Sequence, residues 1–257
     1  MKTIQNHLGT FNVFNQDYVC CHLLENGRVP SQDIIDIHLS PWLRGAKMLI
    51  HVGAENGITS YYTAKKHSSL NVYAFEPRDR YFCMLMKTMA LNACENIMAL
   101  NNVLGHMSGP IKVPGEMTCP ISCDYNDILD LGQGNVVANN NEFCFVTLDS
   151  LQLLACDVIY VDFPGMEYLV LLGGLRTIQK FKPTICFHTV EDVWKREFYD
   201  KLGIEGNIHD MLHRLEYTVT EVEPDVYLAV SLQREQVQGL VNVGENVVTD
   251  TTEVTVA

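Results

Sequence analysis

The stretch Met48-Leu49-Ile50-His51-Val52-Gly53-Ala54-Glu55-Asn56-Gly57 decides the fold. Met48–Val52 is apolar but for one histidine and reads as a buried strand. Gly53 opens a turn, and Gly57 leads into the helical run Ile58–Lys66, which closes on Lys65 and Lys66. A strand entering a glycine turn and then a helix lets backbone approach a ligand and aims free helix N–H groups at it. The glycines are only Gly53 and Gly57, so the turn lacks the G-x-G-x-x-G spacing of dinucleotide dehydrogenases. That spacing, and the absence of an evident proton-relay motif, disfavours an NAD-dependent oxidoreductase.

Outward from this turn the pattern alternates. Asn71–Phe75, Asn96–Leu100, Val158–Val161 and Thr184–His188 read as strands, with helices over Arg78–Ala93, Met166–Phe181 and Ile208–Leu215. Glu142–Thr147 regains strand character after a polar, Asn- and Gly-rich excursion, Met117–Asn141. Tyr217–Val222 and Val226–Ser231 form an antiparallel pair about Pro224-Asp225. This alternation predicts a doubly wound α/β sheet in one domain, residues 46–232. Residues 1–45 precede it as a β-hairpin, Thr10–Phe14 with Tyr18–Leu23 about Asn15-Gln16-Asp17. A Ser31-capped helix follows and ends before Pro41. Residues 233–257 lack a helical period and read as a mobile tail.

Composition excludes several classes. The chain has 257 residues, 47% hydrophobic and 19% charged, enough apolar content for a substantial core and too little bias for a collagenous or disordered chain. No apolar run is long enough to span a membrane, and no secretory leader is evident at Met1–Phe11. Nine scattered cysteines, several inside apolar segments, suit a reducing, cytoplasmic compartment. The net charge is −13, and no Lys or Arg falls between Lys112 and Arg176 while nine Asp or Glu do. A nucleic-acid surface needs cations against phosphate, so nucleic acid is not the expected partner.

Two acids at strand ends carry the chemistry. Glu76, in Ala74-Phe75-Glu76-Pro77, follows Gly57 by 19 residues and can accept both hydroxyls of a ribose; Pro77 ends the strand and fixes where the carboxylate points. Asp162 closes the strand Val158–Val161, where open α/β sheets place their ligands, and Glu167 falls on the first turn of the next helix. Gly173-Gly174 inside that helix predicts a kink or a close backbone approach. His209 and His213 share a helical face but have no evident third ligand, so no metal site is expected.

These features resemble one known family. Gly53-Ala54, Gly57, Phe75-Glu76-Pro77, Thr147-Leu148-Asp149-Ser150-Leu151, Asp162, Gly165, Glu167, Val170-Leu171 with Gly173, Ile178 and Pro183 occur in the order and spacing of FkbM-type S-adenosylmethionine-dependent methyltransferases. The resemblance covers roughly residues 10–230. It implies a seven-stranded class I fold and O-methylation, commonly of a sugar hydroxyl in a glycan or natural product. It also implies that Gly53, Ala54 and Gly57 line the methionine and ribose of the cofactor, with Glu55 in the same turn. Glu76 beside Pro77 would hold the ribose, and Asp162 would border the reaction site. The expected partner is a small-molecule or glycan acceptor.

The chain departs from the family pattern at four places. His51 stands where Asp is usual, Glu55 where Asn is usual, Pro164 where an acid precedes the Gly, and His188 where Glu is common. Glu tolerates left-handed backbone less well than Asn, so the turn is expected to be either strained or redrawn. Three acids are lost, and one acid and two histidines are gained. His188 or His51, with imidazole pKa values near the working range, would then take the acceptor's proton. The alternative is a catalytically decayed domain that survives as a binding or scaffold protein.

Overall fold

A computed structural model describes residues 1–15, 17–112, 142–189, 199–200 and 203–235. Its centre is a seven-stranded sheet in which spatial order departs from chain order. The strands are β3 (Met48–Val52), β4 (Asn71–Phe75), β5 (Ile97–Leu100), β9 (Val158–Val161), β10 (Thr184–His188), β11 (Tyr217–Glu223) and β12 (Val226–Ser231). They lie in the order β11-β12-β10-β9-β3-β4-β5. Strands β5, β4, β3, β9 and β10 run parallel, whereas β12 is antiparallel to both its neighbours, β10 and β11. The chain starts at β3, moves to one side through β4 and β5, and returns to the other through β9. The β3/β9 junction is therefore the switch point, where two crossovers diverge and a crevice opens at the strand C-termini. The doubly wound seven-stranded sheet expected from the sequence is present.

Strand residues alternate between two apolar layers. Ile50, Val52, Ile159 and Val161 face helices α5 (Glu167–Leu172), α6 (Leu175–Phe181) and α7 (Ile208–Arg214), through Leu169, Ile178 and Leu212. Leu49, Val72, Val158 and Tyr160 face α3 (Ile58–Lys66) and α4 (Asp79–Leu91), together with N-terminal side chains including Phe11, Leu24, Ile35 and Leu39. Residues 1–45 thus contribute to one of the two core layers. Phe11 meets Tyr61 edge-on at 5.6 Å, and Asn92, the residue that ends α4, exchanges hydrogen bonds with the backbone of Thr10 at 2.9 and 2.8 Å.

Several boundaries differ from expectation. The hairpin exists, but between β1 (Lys2–Gln5) and β2 (Thr10–Val13); Tyr18–Leu23 is helical, within α1 (Tyr18–Glu25). Asp17 is an N-cap and not a turn residue, its carboxylate accepting from the Cys20 amide at 3.2 Å, and Cys20, Cys21 and Leu24 bury one helical face. Pro41 does not stop the next helix. A π-helical turn, Ile34–Leu39, runs into α2 (Ser40–Leu43), and Pro41 occupies its first turn, where the missing N–H is harmless. Ser31 does not cap that helix with its side chain; it lies before it at φ +53°.

The expected helix Met166–Phe181 is two helices that break at Gly173-Gly174, where a Cβ on Gly173 would strike the Gly105 carbonyl. The close approach forbids any side chain there. Strand β8 (Glu142–Val146) leaves the main sheet and joins β6 (Val103–Leu104) and β7 (Gly109–Lys112) in a second, three-stranded sheet. The excursion Met117–Asn141 and residues 236–257 of the tail lie outside the described residues. Among the described residues, no helix is long and apolar enough to cross a membrane.

Candidate functional site

The turn after β3 is built from left-handed residues. Gly53 (φ +84°), Glu55 (φ +47°) and Gly57 (φ +77°) alternate with Ala54 and Asn56. Gly53 and Ala54 both donate to the Phe75 carbonyl at 3.0 Å, which pins the turn to the end of β4. The glycines are required by space as well as by φ. A Cβ on Gly53 would overlap the Asp162 carbonyl, and one on Gly57 would overlap Leu85. Glu55 holds a left-handed conformation at a cost of about 1 kcal/mol, since L-residues other than Asn and Asp seldom take it. The sequence expectation of strain here is met. Asn56 is buried beneath the turn, its amide reaching Cys20 Sγ at 3.4 Å and Asp17 at 3.5 Å, which ties α1 to the site.

Glu76 lies where the sequence placed it, at the end of β4, and its carboxylate is fully enclosed. One oxygen accepts from the Glu55 amide at 2.9 Å and from Arg78 Nη2 at 3.3 Å. The other accepts from the Arg78 amide at 2.9 Å and from Arg78 Nε at 2.8 Å. The guanidinium also lies over the Tyr81 ring at 4.2 Å and 3.5 Å from Glu55. The Glu55 carboxyl is pushed up to about 7, first by the protein around it, with Asp162, Glu76 and Asp17 adding and Arg78 opposing. Its side chain is 56% open to solvent, which softens the first of these causes. Pro77 follows at the strand end, and Asn101 donates to the carbonyls of Glu76 and Pro77 at 3.0 and 3.3 Å, fixing that corner.

Across the switch point stands Asp162, its amide bonded to the Val52 carbonyl at 2.9 Å. Its carboxylate meets His188, at the end of β10, with Nδ1 at 3.8 Å. It also accepts from Ser31 Oγ at 3.2 Å and shares a side-chain hydrogen bond with Tyr160. Burial works to raise the Asp162 carboxyl, but the contacts with His188, His51 and Tyr160 outweigh it and hold the group below its ordinary value. The same contact raises the His188 imidazole above its ordinary value, against partial burial. The site thus pairs a carboxylate held ionised with an imidazole held basic.

His51 is elsewhere in chemical terms. It is 1% exposed, its Nδ1 lies 2.6 Å from Ser60 Oγ, and its ring stacks on Tyr160, its cross-strand neighbour, at 5.0 Å. Burial pushes its pKa down to about 4. It is therefore a neutral core residue that cannot meet an acceptor from solvent, unlike the exposed base the sequence allowed.

Other motif residues have structural work. Asp149, of Thr147-Leu148-Asp149-Ser150-Leu151, caps α6 from a distance, accepting from the amides of Thr177 at 2.7 Å and Arg176 at 3.1 Å. Glu167 is buried and bonded to Thr189 Oγ1. His209 and His213 line a cavity of about 710 Å³ beside β11, away from the switch point. Among the described residues, no His, Cys, Asp and Glu group is arranged to hold a metal. Sequence reasoning missed Arg78, Ser31, Tyr160 and Ser60. Only Arg78 left a sequence signal, a cation two residues after the key acid.

The donor set suits a ligand that brings hydroxyl groups and positive charge: Glu76, Asp162, Glu55 and Asp17 surround the crevice, with Arg78 the neighbouring cation. A family model described as the methyltransferase FkbM domain matches residues 51–219. The structure of methyltransferase FkbM from Methylobacillus flagellatus is similar at 17% identity and a TM-score of 0.45, over 72% of this chain and 43% of that one. The precorrin-6y C5,15-methyltransferase of Geobacter metallireducens matches at 12% identity and 0.42, over 85% and 92%. Aeropyrum pernix fibrillarin, solved with natively bound S-adenosyl-L-methionine, matches at 12% and 0.38, over 72% and 66%. No curated protein gives a significant match. With the family model matching well over half of its length, the chain belongs to the FkbM methyltransferase family.

Proposed function

We propose that this methyltransferase methylates a hydroxyl, on a sugar of a glycan or glycosylated product, with His188 as proton acceptor. The observation that carries the reading is the His188–Asp162 pair at adjoining strand ends beside the switch point. S-Adenosylmethionine, when bound, supplies an electrophilic sulfonium methyl and departs as a neutral thioether. A hydroxyl is a weak nucleophile until its proton has somewhere to go. Neutral His188 takes that proton, and ionised Asp162 stabilises the imidazolium that results. Gly53, Ala54 and Gly57 offer backbone to the methionine and ribose, Glu76 beside Pro77 takes the ribose hydroxyls, and Glu55 adds negative potential. Seven unpaired cysteines among the described residues are in keeping with a reducing compartment.

The test uses methyl-labelled cofactor and a panel of glycosides. Label should appear on oxygen with the wild type, and fall at least about tenfold with His188→Ala while cofactor affinity holds. Undiminished transfer by that variant removes His188 as base. A second reading, a binding domain without transfer, is favoured by the enclosure of Glu76. Cofactor binding with no transfer to any acceptor would support it.

A further inference from the structure

Glu76 poses a problem of supply and demand. A carboxylate has about four lone-pair positions, and four N–H groups occupy them here: the amides of Glu55 and Arg78, and Arg78 Nε and Nη2. A ribose diol needs two of those positions. The backbone amides cannot leave without rebuilding the turn and the strand end. The guanidinium can leave, since only one flexible side chain must rotate, and Tyr81 and Glu55 already contact it on other sides. Glu76 is shut off because Arg78 covers it, the Arg78 side chain itself remaining 18% exposed.

We propose that Arg78 is the affinity-setting residue of the cofactor site, a guanidinium latch that the ribose hydroxyls displace from Glu76 on binding. The proposal rests on the reading that Glu76 takes the ribose. The fork geometry matters. A bidentate arginine presents two parallel donors on nearly the footprint of a vicinal diol, so the exchange is donor for donor and leaves Glu76 satisfied in both states. Each state is closed, and neither leaves a bare buried carboxylate, which would be costly. The displaced cation keeps the Tyr81 ring and the Glu55 carboxylate as neighbours. Binding is therefore weakened by the contacts that must first break, as for any protein whose binding-competent state is a minor one.

The probe is S-adenosylhomocysteine, which carries no net charge, so that removing a nearby cation does not by itself favour the ligand. Calorimetry should show Arg78→Ala binding it about tenfold more tightly than the wild type, and Glu76→Gln binding it about tenfold more weakly. Arg78→Lys keeps the charge but loses the fork, and should also bind more tightly than the wild type. A direct readout is available in protein labelled with 15N at arginine. The Arg78 Nε–H resonance, assigned by its loss in Arg78→Ala, should leave its carboxylate-bonded position on ligand addition.

Circular dichroism of each variant establishes that it is folded. Unchanged or weaker binding by folded Arg78→Ala, with Glu76→Gln still weakened, overturns the latch alone. An Nε–H resonance unmoved at saturation does the same. Wild-type affinity in Glu76→Gln overturns the ribose reading and the latch with it.

Discussion

At the scale of single residues, His51 and His188 have opposite fates. Both are histidines on parallel strands of the central sheet, yet His188 is 36% exposed beside Asp162 whereas His51 is enclosed between Ser60 and Tyr160. The sequence marked both positions but could not separate them, since a strand-end histidine reads the same whether it faces the crevice or the layer beneath. Burial gives His51 a thermodynamic signature. Its folded pKa is about 4 against an ordinary 6.5, so between those values the unfolded chain binds more protons than the folded one. Stability is full above pH 6.5 and falls by roughly 3 kcal/mol as the pH drops to 4. His51→Asn should lose that part of the acid sensitivity, measured by urea unfolding at a series of pH values. An unchanged slope would mean His51 is not the group responsible.

At the scale of elements, what was legible followed local chemistry. Strands β3, β4, β9 and β10 occur at the positions their apolar runs indicated, because a parallel strand covered on both faces must be apolar throughout, and α3 and β12 also match their expected bounds. The errors at polar residues have two causes. Asp17 suits a turn and an N-cap equally, and it caps a helix through the amide three residues on; Ser31 looks like a cap and bonds to Asp162, 131 residues away. Nothing local announces the Ser31 contact. Gly173-Gly174 was readable as an anomaly, and the structure supplies the cause, the Gly105 backbone pressed against the break between α5 and α6. Gly173→Ala cannot be absorbed by a rotamer change because the obstacle is main chain. It should destabilise the protein by about 3 kcal/mol, a several-degree fall in Tm by calorimetry. A Tm within a degree of the wild type would show that the backbones separate freely.

At the scale of the whole molecule, the N-terminal 45 residues are part of the core and border the candidate site. The family match begins at residue 51, yet Phe11, Leu24, Ile35 and Leu39 are fully buried in the layer that includes Leu49 and Tyr160. Ser31 meanwhile reaches the Asp162 carboxylate at the switch point. Removing residues 1–45 would expose part of one face of the sheet, at about 25 cal/mol per Å² of apolar surface. The shortened chain should show no cooperative thermal transition in calorimetry; a sharp transition near the wild-type Tm would mean that residues 46–257 fold alone. The charge imbalance also gains meaning. The acidic residues counted in the sequence include Asp162 and Asp149, one at the crevice and one holding α6 by its N-terminus.

The position of β12 bears on how the molecule is made. Among the described strands it is the last to be synthesised, yet it is an inner strand, pairing with β10 on one side and β11 on the other. Until it emerges from the ribosome, β10 has an open edge and β11 has no place in the sheet. A nascent chain halted near Asp225 would therefore display an unpaired apolar edge, the kind of surface that recruits other chains or a chaperone. Six residues, Val226 to Ser231, close both gaps at once, so the sheet is completed in one late insertion and not strand by strand.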